Sequence, residues 1–197
     1  MAVFTSIPDH PAGYALAASD WDAIKDALNA STWVQLASST LAIDTASIGF
    51  TGIDQTFAHL LLIGYLRSSN GTFIRARFNA DTGANYDGQR LYGGEALAVP
   101  GETFAQTSAT LGFLPGSVAD ANLFSSMRAT IPHYANAASN KVALSRWGFK
   151  GSTSPAGLAA GHDGAFWRSN AAITSISLFP SAGNFTAGSR AALYGLA

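Results

Sequence analysis

Residues 47–92 read SIGFTGIDQTFAHLLLIGYLRSSNGTFIRARFNADTGANYDGQRLY, and this stretch decides the fold class. Within it, residues 57–66 form a run that is apolar on both of the faces that a strand would present. Such a strand must be covered on both faces, which predicts a place inside a sheet rather than at its edge. The pattern therefore puts Leu61 and Ile63 in the core.

A second strand is predicted directly after this run. Residues 68–71 end in Asn-Gly, the dipeptide that supplies the positive backbone angles of a tight hairpin turn. Residues 72–78 then alternate, with Phe73 on one face and Ile74 on the other. We therefore predict a hairpin formed by the two strands on either side of this turn.

The loop after the second strand places oxygen-bearing side chains at alternate positions, namely Asn79, Asp81 and Asn85, with Gly83 between them. This spacing is superficially that of a calcium loop, but the glycine is misplaced and the closing glutamate is missing. Side-chain-to-backbone hydrogen bonds that hold the loop are the favoured interpretation.

The rest of the chain from residue 32 onward reads as short strands separated by turn signals. Strands are predicted at residues 33–36, 47–51, 89–99, 103–114, 127–134, 141–150, 165–168, 173–179 and 189–194, with a helical turn at 119–124. The pattern predicts that residues 127–134 and 141–150 pair, and that the glycine-rich residues 151–164 form a loop. Many short strands with almost no helix predict an all-β, jelly-roll-like antiparallel β-sandwich.

An arm and a short helix are predicted to precede the sandwich. Pro8, Pro11 and Gly13 prevent regular structure near the start, whereas Ser19 is a good helix N-cap for residues 20–29. We divide the chain into residues 1–30, for attachment and oligomerisation, and residues 31–197, the sandwich domain. The apolar side chains proposed to make the attachment are Phe4, Ile7, Tyr14, Trp21, Ile24 and Leu28.

Three pieces of the chain resemble structural proteins of tailed bacteriophages. FTGIDQTFAHLLLIGYLRSSNGTFIRARFNADTGANY resembles their central strands, and ITSISLFPSAGNFTAGSRAALYGLA resembles their closing element. AGYALAASDWDAIKDALNA resembles a short helix that often leads such proteins. The resemblance implies a virion component, in the form of a head decoration, a head or neck fibre, or a tail fibre. It supplies no active site.

Composition excludes several classes of function. Charged residues make up 12% of the chain, against roughly 25% in typical soluble domains, so the surface suits burial in an assembly. The net charge is −1 without a run of like charge, which argues against nucleic-acid binding and against a basic membrane patch. The chain has no cysteine, and its start lacks the basic region of a signal peptide. We therefore expect synthesis in the host cytoplasm and location in the virion.

Catalytic and metal-binding patterns are not found in the sequence. None of the four histidines lies near another in sequence; His59 is interpreted as a packed residue bonded to the backbone, and His162 as part of a surface turn. The nucleophile, P-loop and dinucleotide motifs are absent. The carboxylates that could act as a pair have no special setting in sequence; they are Asp54, Asp81, Asp87 and Glu95. We therefore expect a protein that is not an enzyme and has no cofactor and no bound metal.

Aromatic side chains offer an alternative function from another class. An open platform of rings would bind sugars by stacking, which would make the protein a carbohydrate-binding or receptor-binding module. The candidates are Tyr86, Tyr92, Tyr134, Trp147 and Trp167. For Trp147 and Trp167, a place in the core or at a subunit interface is the favoured interpretation. The prediction is therefore a non-enzymatic virion component that binds copies of itself, with a trimer as the expected ring, and other virion proteins, with a host surface glycan as the alternative partner.

Overall fold

The computed structural model describes residues 33–94, 98–152 and 157–196. The described residues form twelve strands and no helix. The strands are β1 (Val34–Thr40), β2 (Ile48–Thr51), β3 (His59–Leu66), β4 (Thr72–Phe78), β5 (Tyr86–Gly93), β6 (Ala98–Gln106), β7 (Ala109–Leu114), β8 (Ser125–Pro132), β9 (Lys141–Lys150), β10 (Leu158–Trp167), β11 (Ser175–Pro180) and β12 (Arg190–Leu196). The predicted arm, helix and six attachment residues lie outside the described residues.

The strands form two antiparallel sheets that pack as a sandwich. The larger sheet has eight strands in the order β1-β12-β3-β8-β9-β10-β5-β6, and the smaller has four in the order β2-β11-β4-β7. Every pairing within both sheets is antiparallel. The all-β sandwich expected from the sequence is confirmed.

The core lies between the two sheets and is built from alternate residues of each strand. From β3 it takes Leu60, Leu62 and Leu66, all fully buried, and from β4 it takes Ile74 and Phe78. Burial of one such side chain stabilises the fold by about 1.5–3 kcal/mol. The alternation seen in the sequence is therefore the alternation between core and surface.

The prediction that β3 lies inside a sheet is confirmed, but the prediction that both its faces are covered is wrong. β3 pairs with β12 and β8. Its second face points away from the smaller sheet, and there Ile63 is 40% exposed and Tyr65 37% exposed. Leu61 is buried, but it lies on this second face between Tyr194 and Thr130 and not among the core residues. Ile63 is therefore a surface residue.

The predicted hairpin between β3 and β4 is not formed, because the two strands belong to different sheets. Neither Asn70 nor Gly71 has a positive φ, so the dipeptide does not form the turn that a hairpin requires. The guanidinium of Arg67 instead donates to four carbonyl oxygens at distances of 2.6–3.3 Å. Those carbonyls belong to Gly116, Ala119, Asp120 and Leu123. This anchor fixes the chain where it crosses between the sheets.

The glycine-rich loop predicted at residues 151–164 is also wrong, because β10 begins at Leu158 and lies inside the larger sheet between β9 and β5. Gly161 is paired with both Trp147 and Tyr92. A Cβ at Gly161 would lie 2.6 Å from the Cβ of Tyr92 and 2.8 Å from Cζ2 of Trp147. The glycine therefore makes room for two rings rather than for a turn.

The remaining strand predictions differ from the structure mainly at boundaries. The predicted pairing of residues 127–134 with 141–150 is confirmed by the register of β8 and β9. The two strands predicted at residues 89–99 and 103–114 are instead three strands, β5, β6 and β7. Residues 119–124 contain turns and no helix.

Candidate functional site

The side of the eight-stranded sheet that faces away from the smaller sheet, called here the outer face, carries a row of three basic side chains. Arg128 on β8 is the register partner of Arg146 on β9, and Arg146 is the partner of His162 on β10. All three side chains are exposed. We call these three residues the basic row.

The basic row crosses the middle of the sheet. The next residues in register on its two sides, Ile63 and Leu91, are uncharged. Directly paired residues have Cβ atoms about 4.5–5.5 Å apart, and like charges at this separation are destabilising. The side chains of Arg128, Arg146 and His162 form no hydrogen bond or ion pair with any other described residue. The row is therefore a set of hydrogen-bond donors directed outward without a counter-charge.

A concavity of about 430 Å³ lies at the basic row. Besides the three basic residues, its lining includes Thr130 and Leu144, and Gly164 leaves room beside them. Guanidinium groups bind carboxylates and phosphates through paired hydrogen bonds, and a concave site excludes part of the competing water. The arrangement can therefore bind an anionic group of modest size.

Apolar side chains are exposed on the same face around the basic row. Leu144, next to Arg146 along β9, is 56% exposed, and Ile63 is the register partner of Arg128. Towards the far edge of the sheet, Leu91 and Phe104 are 54% and 65% exposed. Scattered exposed apolar residues are ordinary, but a sheet face that combines them with unpaired cations has the composition of a contact surface.

The five aromatic residues considered for sugar stacking belong to the core and its margin. Tyr86, Tyr134, Trp147 and Trp167 are buried, and Tyr92 is partly buried against the core. Phe78, Tyr86 and Trp167 form one group of rings, and Tyr92, Phe113 and Trp147 form another. The preference for core packing is confirmed for Trp147 and Trp167, and the three tyrosines are likewise not part of an open platform.

Two histidines that are distant in sequence come together in space. The rings of His59 and His133 have centroids 4.9 Å apart in an edge-to-face arrangement. Nδ1 of His59 accepts a hydrogen bond of 3.3 Å from the backbone N–H of His133, as expected of a packed histidine bonded to the backbone. Within the described ranges, no three metal-ligating side chains come together here or elsewhere.

The loop interpreted as self-bonded makes the side-chain bonds that the sequence predicted. Oδ1 of Asp81 accepts from the backbone N–H of Gly83 at 2.7 Å, and Oδ2 accepts from Nε1 of Trp167 at 2.7 Å and from Nδ2 of Asn85 at 3.0 Å. Burial raises the pKa of Asp81, but these three donors outweigh it and hold the pKa below its ordinary value. Asp81 is thus committed to holding the loop.

A carboxylate that the sequence assigned to a surface turn is buried between the sheets. Asp163, on β10 beside His162, is 4% exposed; its Oδ1 lies 2.7 Å from Nε of Arg90 and its Oδ2 accepts from Nε1 of Trp147 at 2.6 Å. Burial raises the pKa of Asp163, and the charge of Arg90 and the two hydrogen bonds oppose the rise. Arg90 also lies over the ring of Phe73, 4.4 Å from its centroid. Both carboxylate oxygens are engaged, so this group anchors the packing.

The other candidate carboxylates have structural roles or lie outside the described residues. Asp87 pairs with Arg168 at 3.1 Å and accepts from the backbone N–H of Ala105. Asp54 accepts from the backbone N–H of Thr56 in an exposed turn. Glu95 is not among the described residues. None of the three described carboxylates that the sequence singled out lies in the concavity at the basic row.

The basic row was not found from the sequence, although part of its signal was present. The alternation of residues 141–150 placed Arg146 on the face opposite Trp147, and pairing with residues 127–134 was predicted. The strand β10 was not predicted. Because residues 151–164 were interpreted as a loop, His162 was not placed on the sheet. If residues 158–167 are taken as a strand despite their glycines, pairing with residues 141–150 brings His162 into line with Arg146 and Arg128.

No protein-family model, curated protein or solved structure is significantly similar to this chain. In the part of the chain that the structure describes, no helix is long and apolar enough to cross a membrane.

Proposed function

We propose that the protein is a non-enzymatic structural component of a bacteriophage particle that assembles through protein–protein contacts. The observation that carries the proposal is the strand order. The larger sheet contains the order β1-β12-β3-β8, and the smaller sheet has the order β2-β11-β4-β7. A jelly roll has eight antiparallel strands arranged in two four-stranded sheets. Jelly rolls recur in viral capsid proteins and in lectins.

The path of the chain supports a jelly-roll interpretation of these eight strands. β1, β2, β3 and β4 alternate between the sheets; β7 then stays beside β4, and β8, β11 and β12 alternate again. The four remaining strands form two insertions, β5 with β6 and β9 with β10. The insertions pair with each other through β5 and β10 and widen one sheet. A jelly roll with one widened sheet accounts for every strand.

The composition of the outer face supports assembly over a free existence. The widened sheet has eight strands and the smaller sheet has four. The four additional strands therefore add a surface that an eight-stranded jelly roll lacks. Exposed Leu144 and Leu91 lie on strands of the insertions. The motif resemblance of residues 50–86 and of the closing element to phage structural proteins points in the same direction.

A carbohydrate-binding module of a phage tail is the second candidate, because jelly rolls also occur in lectins. The observation in its favour is the concavity at the basic row, which could take an acidic sugar. The aromatic residues suggested for a stacking platform are buried, so the usual means of binding neutral sugars is missing among them. Assembly therefore remains the better-supported function.

Purified particles provide the test. Particles from cells that produce the protein during phage growth would be banded in a density gradient and analysed by quantitative mass spectrometry. We expect the protein to band with the particles at a fixed ratio to the major capsid protein, and to remain bound after dilution. A protein found only in the soluble fraction would contradict the proposal, and retention on an array of neutral and acidic glycans would favour the second candidate.

A further inference from the structure

The basic row lacks a counter-charge over a wide area of its own sheet. The outward-facing positions of β12, β3, β8, β9 and β10 contain no aspartate or glutamate. The same positions hold Arg190 and Lys150 in addition to the basic row. Because like charges in direct register destabilise a sheet, an anionic partner on this face would stabilise the structure.

The charge that would balance the row is present elsewhere in the chain. The whole chain has 12 acidic residues against 11 basic ones, so it is nearly neutral and its charges are unevenly distributed. Residues 1–30 contain a single Lys or Arg, Lys25, and four aspartates, which are Asp9, Asp20, Asp22 and Asp26. This N-terminal segment is therefore acidic where the outer face is basic.

The apolar residues of the two surfaces also match. Three of the aspartates flank the apolar stripe of Trp21, Ile24 and Leu28. On the outer face, exposed Leu144 and Ile63 flank the basic row. Contact surfaces gain stability from apolar burial and specificity from complementary charge, and this pair of surfaces offers both.

We infer that residues 1–30 of one copy dock on the outer face of a second copy, with Asp20, Asp22 and Asp26 against the basic row. The inference rests on the proposed assembly function and names the contact that would perform it. Two outer faces cannot pack on each other, because their cations would repel. A contact between different surfaces of two copies joins them head to tail and closes into a ring when the rotation allows.

The length of the connection to β1 favours a second copy over the same copy. The connection from Asp26, the last of the three aspartates, to Val34 spans roughly 26–29 Å at most when extended. Arg146 lies four strand spacings, roughly 19 Å, across the sheet from β1, and it is also displaced along the strands from Val34. The segment could lie along the row of its own sheet only with the whole connection extended, whereas the segment of a second copy has no such restraint.

Paired charge reversals test the contact in the full chain. One variant reverses the face with Arg128→Glu and Arg146→Glu, and the other reverses the segment with Asp20→Lys, Asp22→Lys and Asp26→Lys. Light scattering should give a multiple of 20.4 kDa for the wild type and 20.4 kDa for each variant alone. An equimolar mixture of the two variants should associate again, into species with an even number of chains, because each acidic segment then meets a basic face and each basic segment meets an acidic face.

The control adds the same negative charge away from the outer face. Arg77→Glu on β4, Thr51→Glu on β2 and Ser117→Glu in the loop after β7 together change the net charge as much as the face variant does, and the oligomer should persist. A wild type that remains a monomer, a mixture that stays dissociated, or a control that dissociates equally would each overturn the inference. So would an unchanged oligomer in the face variant. Incorporation into particles is measured separately, so failure of this contact is distinguishable from failure of the proposed function.

Discussion

Asp163 brings a negative charge into the space between the two sheets, and its partners explain why that is tolerated. Its two oxygens are held by Arg90 and Trp147, and Arg75 lies close enough to attract it. The guanidinium of Arg75 is itself partly buried, and burial followed by repulsion from Arg90 lowers its pKa. One carboxylate thus attracts both guanidiniums of this cluster, those of Arg90 and Arg75.

Removal of this carboxylate should be costly. Asp163→Ala leaves the guanidinium of Arg90 without its partner, and loss of one member of a buried pair destabilises by about 3–5 kcal/mol. The exposed pair of Asp87 and Arg168 is the control, for which Asp87→Ala should cost about 1 kcal/mol. Both values follow from urea denaturation. Equal losses in the two variants would show that the buried pair has no special role.

Asp81 predicts how stability depends on pH. Its folded-state pKa lies below the ordinary value, so the folded state releases the proton more readily than the unfolded state. The stabilisation is present above the unfolded pKa of about 4 and is lost as the pH falls through the folded pKa. Asp81→Asn removes this dependence. The difference in unfolding free energy between wild type and Asp81→Asn should therefore be largest near neutral pH and shrink on acidification; a difference that grows in acid would contradict this.

At the scale of the elements, β10 shows how small residues place a strand between two crowded neighbours. Most inward positions of β10 are small, namely Ala159, Gly161 and Ala165, and Gly161 lies opposite Tyr92 and Trp147. Gly164 on the outer face has no such neighbours, since a Cβ there would lie 3.7 Å from Leu144 Cδ2. The two glycines of one strand therefore have different functions.

Alanine substitution should separate these two glycines. Gly161→Ala forces a methyl group to within 2.8 Å of both a backbone carbonyl and an indole ring, and overpacking of this kind costs about 1–3 kcal/mol. Gly164→Ala meets only ordinary contact distances and should change stability by less than about 0.5 kcal/mol. Thermal melting of the two variants is sufficient for the comparison. A neutral Gly161→Ala would mean that the rings move apart without strain.

Sequence reasoning predicted elements with strong alternation and failed where long-range packing decided the structure. Residues 72–78 were predicted with the bounds that β4 has, and the pairing of β8 with β9 was predicted correctly. The prediction of a hairpin at Asn-Gly is wrong because hydrogen bonds from Arg67 to carbonyls near residue 120 fix the chain where it crosses to the other sheet. The prediction of a loop in place of β10 is wrong because Gly161 makes room for aromatic rings that are distant in sequence. The basic row depends on β10 and was missed with it.

At the scale of the whole molecule, the two sheets are complete within the described residues. β1 begins at Val34 and is held along its length by β12. Among the described residues, the buried core runs from Ile48 to Leu193. The described strands therefore enclose a core of their own.

Deletion of residues 2–29 should therefore leave the sandwich folded. We expect the truncated protein to melt within a few degrees of a full-length protein kept monomeric by the Arg128→Glu and Arg146→Glu substitutions. That comparison removes the effect of assembly on the melting temperature. Loss of several kcal/mol or insolubility of the truncated monomer would show that the N-terminal segment belongs to the core.

The place of β12 between β1 and β3 also affects the order in which the chain can fold. β1 and β3 can pair with their shared neighbour only after residues 190–196 have been made. At about 5–20 residues per second, the ribosome needs roughly 6–25 seconds to make the intervening chain, and the apolar run of β3 has one unpaired edge during this time. The hairpin of β8 and β9 forms earlier and offers β3 its other partner. Nascent chains stopped before residue 190 should therefore remain protease-sensitive around β3 and bind chaperones, while refolding of the full chain should be slow, on the order of milliseconds to seconds.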